Sequence, residues 1–153
     1  MIKLENVWYS SDFKKLVLPL MSKEEPCELK ETKLKRRMWD FEIQKEISDI
    51  PISPNQLLYF LNNKIKDKTK WYLFHVQLNH GVVAVNVYWL GGEWYCNAVS
   101  LGYNYRWGSD YHFFSLATDS KKLNLETSDS LTLKEAIKIC KENGLKVIKV
   151  IEE

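Results

Sequence analysis

From residue 71 to residue 100 the apolar positions recur every second residue. In 71–79 they are Tyr72, Phe74, Val76 and Leu78, and in 82–90 they are Val83, Val85, Val87 and Trp89. Such alternation marks half-buried strands. With His80-Gly81 as a two-residue loop, the pairs are Leu78–Val83, Val76–Val85, Phe74–Val87 and Tyr72–Trp89, so every core residue meets a core residue. A slip by one would break all four pairs, because successive side chains point to opposite faces. The next turn, Gly91-Gly92, suits the positive φ of a tight hairpin and pairs Trp89–Trp94, Val87–Cys96, Val85–Ala98 and Val83–Ser100. Both turns select the same apolar face. The expectation is an antiparallel meander over 71–79, 82–90 and 93–100, with a fourth strand at about 111–117.

The period changes to helical on either side. Ser53, Pro54 and Gln56 form an N-cap, a first-turn proline and a capping box, and Leu57, Leu58, Leu61 and Ile65 share one face. Residues 54–66 therefore read as a helix that packs on the meander and ends in the Lys66–Lys70 charge run. Thr132, Glu135 and Gly144 punctuate a second helix, 132–143, with Leu133, Ala136, Ile137 and Cys140 in line, and 145–151 reads as a last strand. In the N-terminal third, Val7–Tyr9 and Phe13–Leu20 read as extended. The stretch 23–47 fits a charged helix carrying Leu34, Met38 and Phe41, and equally a strand in which Trp39, Phe41 and Ile43 alternate with charges. The fold class is α+β, in one domain spanning 1–153, with 1–50 packing onto the sheet.

The opposite face of the meander is the unusual one. Its rows read His75–Asn86–Asn97, Leu73–Tyr88–Tyr95, Gln77–Ala84–Val99 and Trp71–Leu90–Glu93. A water-facing sheet surface is normally polar, and this one is too apolar to be simply wet. It calls for a cover: the N-terminal third, the C-terminal elements, the loop 101–110 or a partner. The polar row, ringed by Tyr88, Tyr95 and Trp71, is either a self-satisfied hydrogen-bond network or a ligand site. The loop Leu101–Asp110 sets Tyr103, Tyr105 and Trp107 beside Arg106, an arrangement suited to stacking on a base, a sugar or a proline-rich partner, or to closing one end of the core.

Composition narrows the class. A chain of 153 residues, 45% hydrophobic and 27% charged, is an ordinary globular domain. Cys27, Cys96 and Cys140 are too widely spaced for a disulfide framework or a zinc site. No apolar run reaches the roughly 18 residues of a membrane span, and the charged N-terminus does not read as a signal peptide. A cytoplasmic location is the expectation, and the Lys, Asn and Ile bias fits a bacterial or phage genome. The net charge is +2, carried mostly by lysine, with only Arg36, Arg37 and Arg106 to supply forked contacts to phosphates or bases. The runs Lys30–Arg37 and Lys64–Lys70 read first as solvated faces.

Candidate chemistry is sparse. His75, His80 and His112 with Asp110 and Asp119 are the material for an acid–base or metal site, and none has the H-E-x-x-H spacing. There is no G-x-S-x-G, phosphate-binding loop or dinucleotide fingerprint. No catalytic set, metal or cofactor is expected. The function expected is a non-enzymatic binding or regulatory module that engages a protein partner, or itself, through His75, Asn86, Asn97, Tyr88, Tyr95, Tyr103, Tyr105, Arg106 and Trp107. One alternative is single-stranded nucleic-acid binding through the Tyr88, Tyr95, Tyr103, Tyr105 and Trp107 rings and the lysine runs. The other is a small hydrolase using His75 or His112.

Overall fold

The computed structural model of the protein describes residues 1–101 and 106–117. All but Ala117 of these belong to one unit, Met1–Leu116. The expected helix 132–143 and strand 145–151, together with Tyr103 and Tyr105, lie outside the described residues.

In chain order the elements are β1 (Val7–Tyr9), a π-helical turn (Phe13–Val17) running into a 3₁₀ turn (Leu18–Leu20), β2 (Leu29–Lys33), β3 (Met38–Trp39), α1 (Asp40–Glu46), α2 (Pro54–Asn63), β4 (Trp71–Gln77), β5 (Val82–Leu90), β6 (Glu93–Ser100), β7 (Arg106–Trp107) and β8 (Tyr111–Leu116). Six strands form a mixed sheet in the order β1-β6-β5-β4-β8-β2, and β3 pairs with β7 in a small second sheet. The fold is α+β.

The meander β4-β5-β6 is present and antiparallel, but the sheet is not antiparallel throughout. Strand β8 does not continue outward from β6. It crosses to the other edge and pairs in parallel with β4, Trp71 opposite Tyr111 and Phe74 opposite Phe114. At the far edge β1 runs parallel to β6, with Trp8 opposite Tyr95. Residues 71–74 of β4 are bonded to β8 on that side. Beyond them Ile52 takes over, its amide donating to the His75 carbonyl at 2.9 Å and its carbonyl accepting from the Gln77 amide at 2.8 Å. At the β2 edge, Lys30, Glu31 and Lys33 discourage further strand addition.

Register corrects the sequence reading in one place. The second hairpin pairs as expected, Trp89 with Trp94 through Val83 with Ser100, across a turn in which Gly91 and Gly92 have φ of 60° and 89°. The first does not. Tyr72 lies opposite Val87, Phe74 opposite Val85, and Val76 opposite Val83. The Leu78 amide donates to the Gly81 carbonyl at 2.7 Å, which centres the turn on Asn79-His80 and leaves Gly81, at φ 151°, just after it. Moving the centre by one residue moves every pair by two. Faces therefore survive while partners change, since side-chain direction repeats every two residues.

The first face carries the main core. Phe13, Val17, Ile52, Leu57, Leu61, Phe74, Val85 and Cys96 are among its fully or nearly fully buried members. Helix α2 lies on this face. Phe60 meets Phe114 at 5.0 Å and Phe74 at 5.3 Å between ring centroids. Its start is the capping box read from the sequence: Ser53 Oγ accepts from the Gln56 amide at 3.0 Å, and Gln56 Oε1 accepts from the Ser53 amide at 2.8 Å. The helix ends at Asn63 rather than 66.

Two N-terminal expectations change. Phe13–Leu20 is helical, not extended, because its apolar residues bury Phe13 and Val17 on one side with π spacing, the Leu18 amide donating to the Phe13 carbonyl. The ambiguous stretch 23–47 matches neither alternative as read: β2 and β3 are followed by α1, so Phe41 and Ile43 are helical rather than extended, while Leu34 and Met38 lie outside the helix.

Candidate functional site

The register shift reorganises the second face. His75 leaves the polar row and sits beside Ala84, Leu73 joins Asn86 and Asn97, and Trp71 comes alongside Tyr88 and Tyr95. The expected His75–Asn86–Asn97 row does not form. An aromatic row forms instead, longer than the sequence reading allowed.

That row crosses the sheet almost from edge to edge. Trp8 of β1 meets Tyr95 of β6 at 5.4 Å, Tyr95 meets Tyr88 of β5 at 5.2 Å, and Tyr88 meets Trp71 of β4 at 4.9 Å. Trp71 then meets Tyr111 of β8 at 5.3 Å, and Tyr111 meets Trp107 at 5.1 Å. The central rings are nearly parallel, 12° between Tyr95 and Tyr88 and 20° between Tyr88 and Trp71. They stand side by side on the sheet as cross-strand pairs do, so each occupies its neighbour's face. Asn97 donates from Nδ2 to the Tyr88 hydroxyl at 3.5 Å.

Among the described residues the row is covered at one end only. Leu34, Met38, Ile43, Leu73, Ala84, Trp107, Tyr111 and Phe113 form a second buried cluster in which α1 and the β3–β7 pair lie over the β8 side of the face. This places His75, Asn86 and Trp107 inside the protein. The Asp40 carboxylate, at the first turn of α1, accepts on one oxygen from Trp107 Nε1 at 2.8 Å and contacts His75 Nε2 at 2.8 Å. Asn86 Nδ2 donates to the Tyr111 hydroxyl at 3.3 Å, while Asn86 Oδ1 and His75 Nδ1 are buried without a partner among the described residues. At the other end Trp8 is 48% and Trp71 36% exposed, with Tyr88, Tyr95 and Asn97 half-buried between them.

Arg106, expected in an aromatic loop, is exposed and lies over the Trp39 ring at 5.3 Å. Trp39 in turn stacks with Phe41, which is 63% exposed. Trp8 was not a candidate in the sequence. It became one because β1 adds in parallel beside β6, a non-local pairing with no signal in a three-residue strand. Asp40 was missed for the same reason: it sits in a charged stretch, and only the fold brings it to His75.

The charged and thiol groups are largely committed elsewhere. The two basic runs meet at one point, where Lys70 Nζ contacts Glu31 Oε2 at 2.8 Å and Glu31 also contacts His112. Burial works to raise the Glu31 pKa, but Lys70 and His112 outweigh it and hold the carboxyl below its ordinary value. Arg36 pairs with Glu46 at 2.9 Å and Glu42 at 3.4 Å, Lys33 donates to the Ser109 carbonyl at 2.8 Å, and Lys68 lies over Trp89 at 3.9 Å. Burial pushes the Cys96 thiol up to about 12, and burial together with Glu25 raises that of Cys27, so neither has thiolate character. Among the described residues no group of three or more His, Cys, Asp or Glu side chains is placed to hold a metal ion, and no helix is long and apolar enough to cross a membrane.

Comparison with family models, with curated proteins and with solved structures gives no significant match.

Proposed function

We propose that this protein is a non-enzymatic binding module whose working surface is the open part of the aromatic row, Trp8–Tyr95–Tyr88–Trp71, and whose partner is a protein surface or a second copy of the chain. The carrying observation is one continuous row of rings, shielded at the β8 end by α1 and the β3–β7 pair, whose remaining stretch is bounded by the exposed Trp8 and Trp71. Large apolar patches on a sheet face favour association, and Trp and Tyr dominate the energetics of protein interfaces. The stacked geometry favours a protein over a nucleobase: base stacking needs a free ring face, and both faces of Tyr88 are taken by Trp71 and Tyr95.

Native mass spectrometry of a tagged copy purified from its source cells tests this. A partner or dimer is expected with the natural sequence, and it is expected to be lost when Trp8 and Trp71 are both changed to Ala. Recovery of neither a partner nor an oligomer removes the interaction reading.

One observation favours single-stranded nucleic acid as a second reading. The Lys30–Arg37 and Lys64–Lys70 runs converge on one region of the fold through the Lys70–Glu31 contact. Tryptophan emission titrated with oligonucleotides at low salt decides it, unchanged emission counting against it.

A further inference from the structure

A separate cleft of about 420 Å³ opens between the helical segment 13–20 and the β4–β5 hairpin. Its size lies in the ordinary range of small-molecule sites, roughly 300–1,000 Å³. The helical segment contributes Leu16, Pro19 and Leu20, and the hairpin contributes Leu78, Val82 and Val83. The polar lining is Lys15, Asn79, His80 and Ser100. It contains a cation and hydrogen-bond donors, and among the described residues no acidic one lines the cleft.

Two further features belong to the same place. The wall that carries Lys15 and Leu16 is the π-helical turn, a rare conformation found often at functional sites. It buries Phe13 and Val17 in the core while Leu16 stays 40% exposed, leaving a large apolar side chain at the cleft with the core already served by its neighbours. On the opposite wall the Asn79-His80 turn leaves the amides of Asn79, His80 and Gly81 without a protein acceptor among the described residues. Lys15 likewise makes no ion pair among them. An apolar lining bordered by the exposed Lys15 ammonium and the exposed Asn79–Gly81 turn is complementary to a molecule with an apolar body and one negative charge.

We propose that this cleft binds a small amphipathic monocarboxylate, its apolar body between Leu16 and Leu78 and its carboxylate at Lys15 and the Asn79–Gly81 turn. The site shares no residue with the aromatic row, so its success or failure leaves the association reading untouched.

The test is a titration of the ¹⁵N-labelled full chain followed by NMR, with octanoate as the probe, octan-1-ol as the same tail without the charge, and acetate as the charge without the tail. Octanoate is expected to give saturable shifts centred on residues 15–20 and 78–83, with octan-1-ol and acetate each markedly weaker. Lys15→Ala is expected to weaken octanoate by up to about fivefold, the upper end for an exposed charge pair. Leu16→Asp, at an exposed position that the fold tolerates, is expected to abolish binding. The proposal is overturned if octanoate gives no saturable shift there, if octan-1-ol binds as well as octanoate, or if both variants bind like the natural chain.

Discussion

Trp107 donates its indole N–H to the Asp40 carboxylate at 2.8 Å, across 67 positions of sequence. The bond joins β7 to the start of α1, and the same carboxylate oxygen meets His75 of the main sheet. One buried acid thus ties the cover of the second face to the sheet beneath it. Asp40→Ala removes the acceptor of both rings. It is expected to cost about 2–6 kcal/mol, given about 1–3 kcal/mol for each of the two buried polar groups deprived of its partner. Urea denaturation measures the cost, and near-ultraviolet circular dichroism reports whether the Trp107 environment loosens. Unchanged stability would show that the cover is held by apolar packing alone.

The Ser53 cap starts α2, which lies over the first face. Ser53→Ala removes the acceptor of the Gln56 amide and is expected to lower stability by about 1 kcal/mol. Ser53→Gly is expected to cost less, because an N-cap glycine is tolerated far better than alanine. A thermal melt of the three proteins should therefore rank Ser, Gly, Ala from most to least stable.

The thiols should separate by exposure. Cys96 is fully buried with its pKa pushed up to about 12, whereas Cys27 is half-buried. Alkylation of the native protein near neutral pH is expected to modify Cys27 slowly and Cys96 only on unfolding. Peptide mapping by mass spectrometry reads both sites, and early Cys96 labelling would mean that β6 opens locally.

Glu31 makes a small, signed contribution to pH dependence. Its folded pKa lies below its ordinary value of 4.5. Its stabilisation is therefore fully present above that value and is lost as pH falls through the lower folded pKa. Lys70, raised above 10.5 chiefly by its hydrogen bond to Glu31, behaves oppositely: its share is present below that value and lost as pH rises through the higher folded one. The pair is partly exposed, so the effect should stay under about 1 kcal/mol. Glu31→Gln is expected to lose that stability near neutral pH and to differ little from the natural chain at an acid pH below the lowered folded pKa, where both side chains are uncharged. Urea midpoints at the two pH values make the comparison.

How far sequence carried this protein depended on distance along the chain. The capping box Ser53–Gln56, the Gly91-Gly92 turn and the assignment of every residue from Trp71 to Ser100 to a face were all readable, because each rests on neighbours or on the period-two direction of strand side chains. The register of β4 against β5 was not, since Asn79-His80 and His80-Gly81 both preserve that period and differ only in backbone geometry at the turn. From that one step followed the loss of the His75–Asn86–Asn97 row and the gain of Trp71 beside Tyr88. The remaining features were decided by tertiary structure alone. The parallel placement of β1 and β8, the meeting of Asp40 with His75 and Trp107, and the partial cover of the second face join segments far apart in the chain. Local patterns bias such segments toward strand or helix but carry no record of which will meet, and that choice is made by burying both faces of one sheet at once.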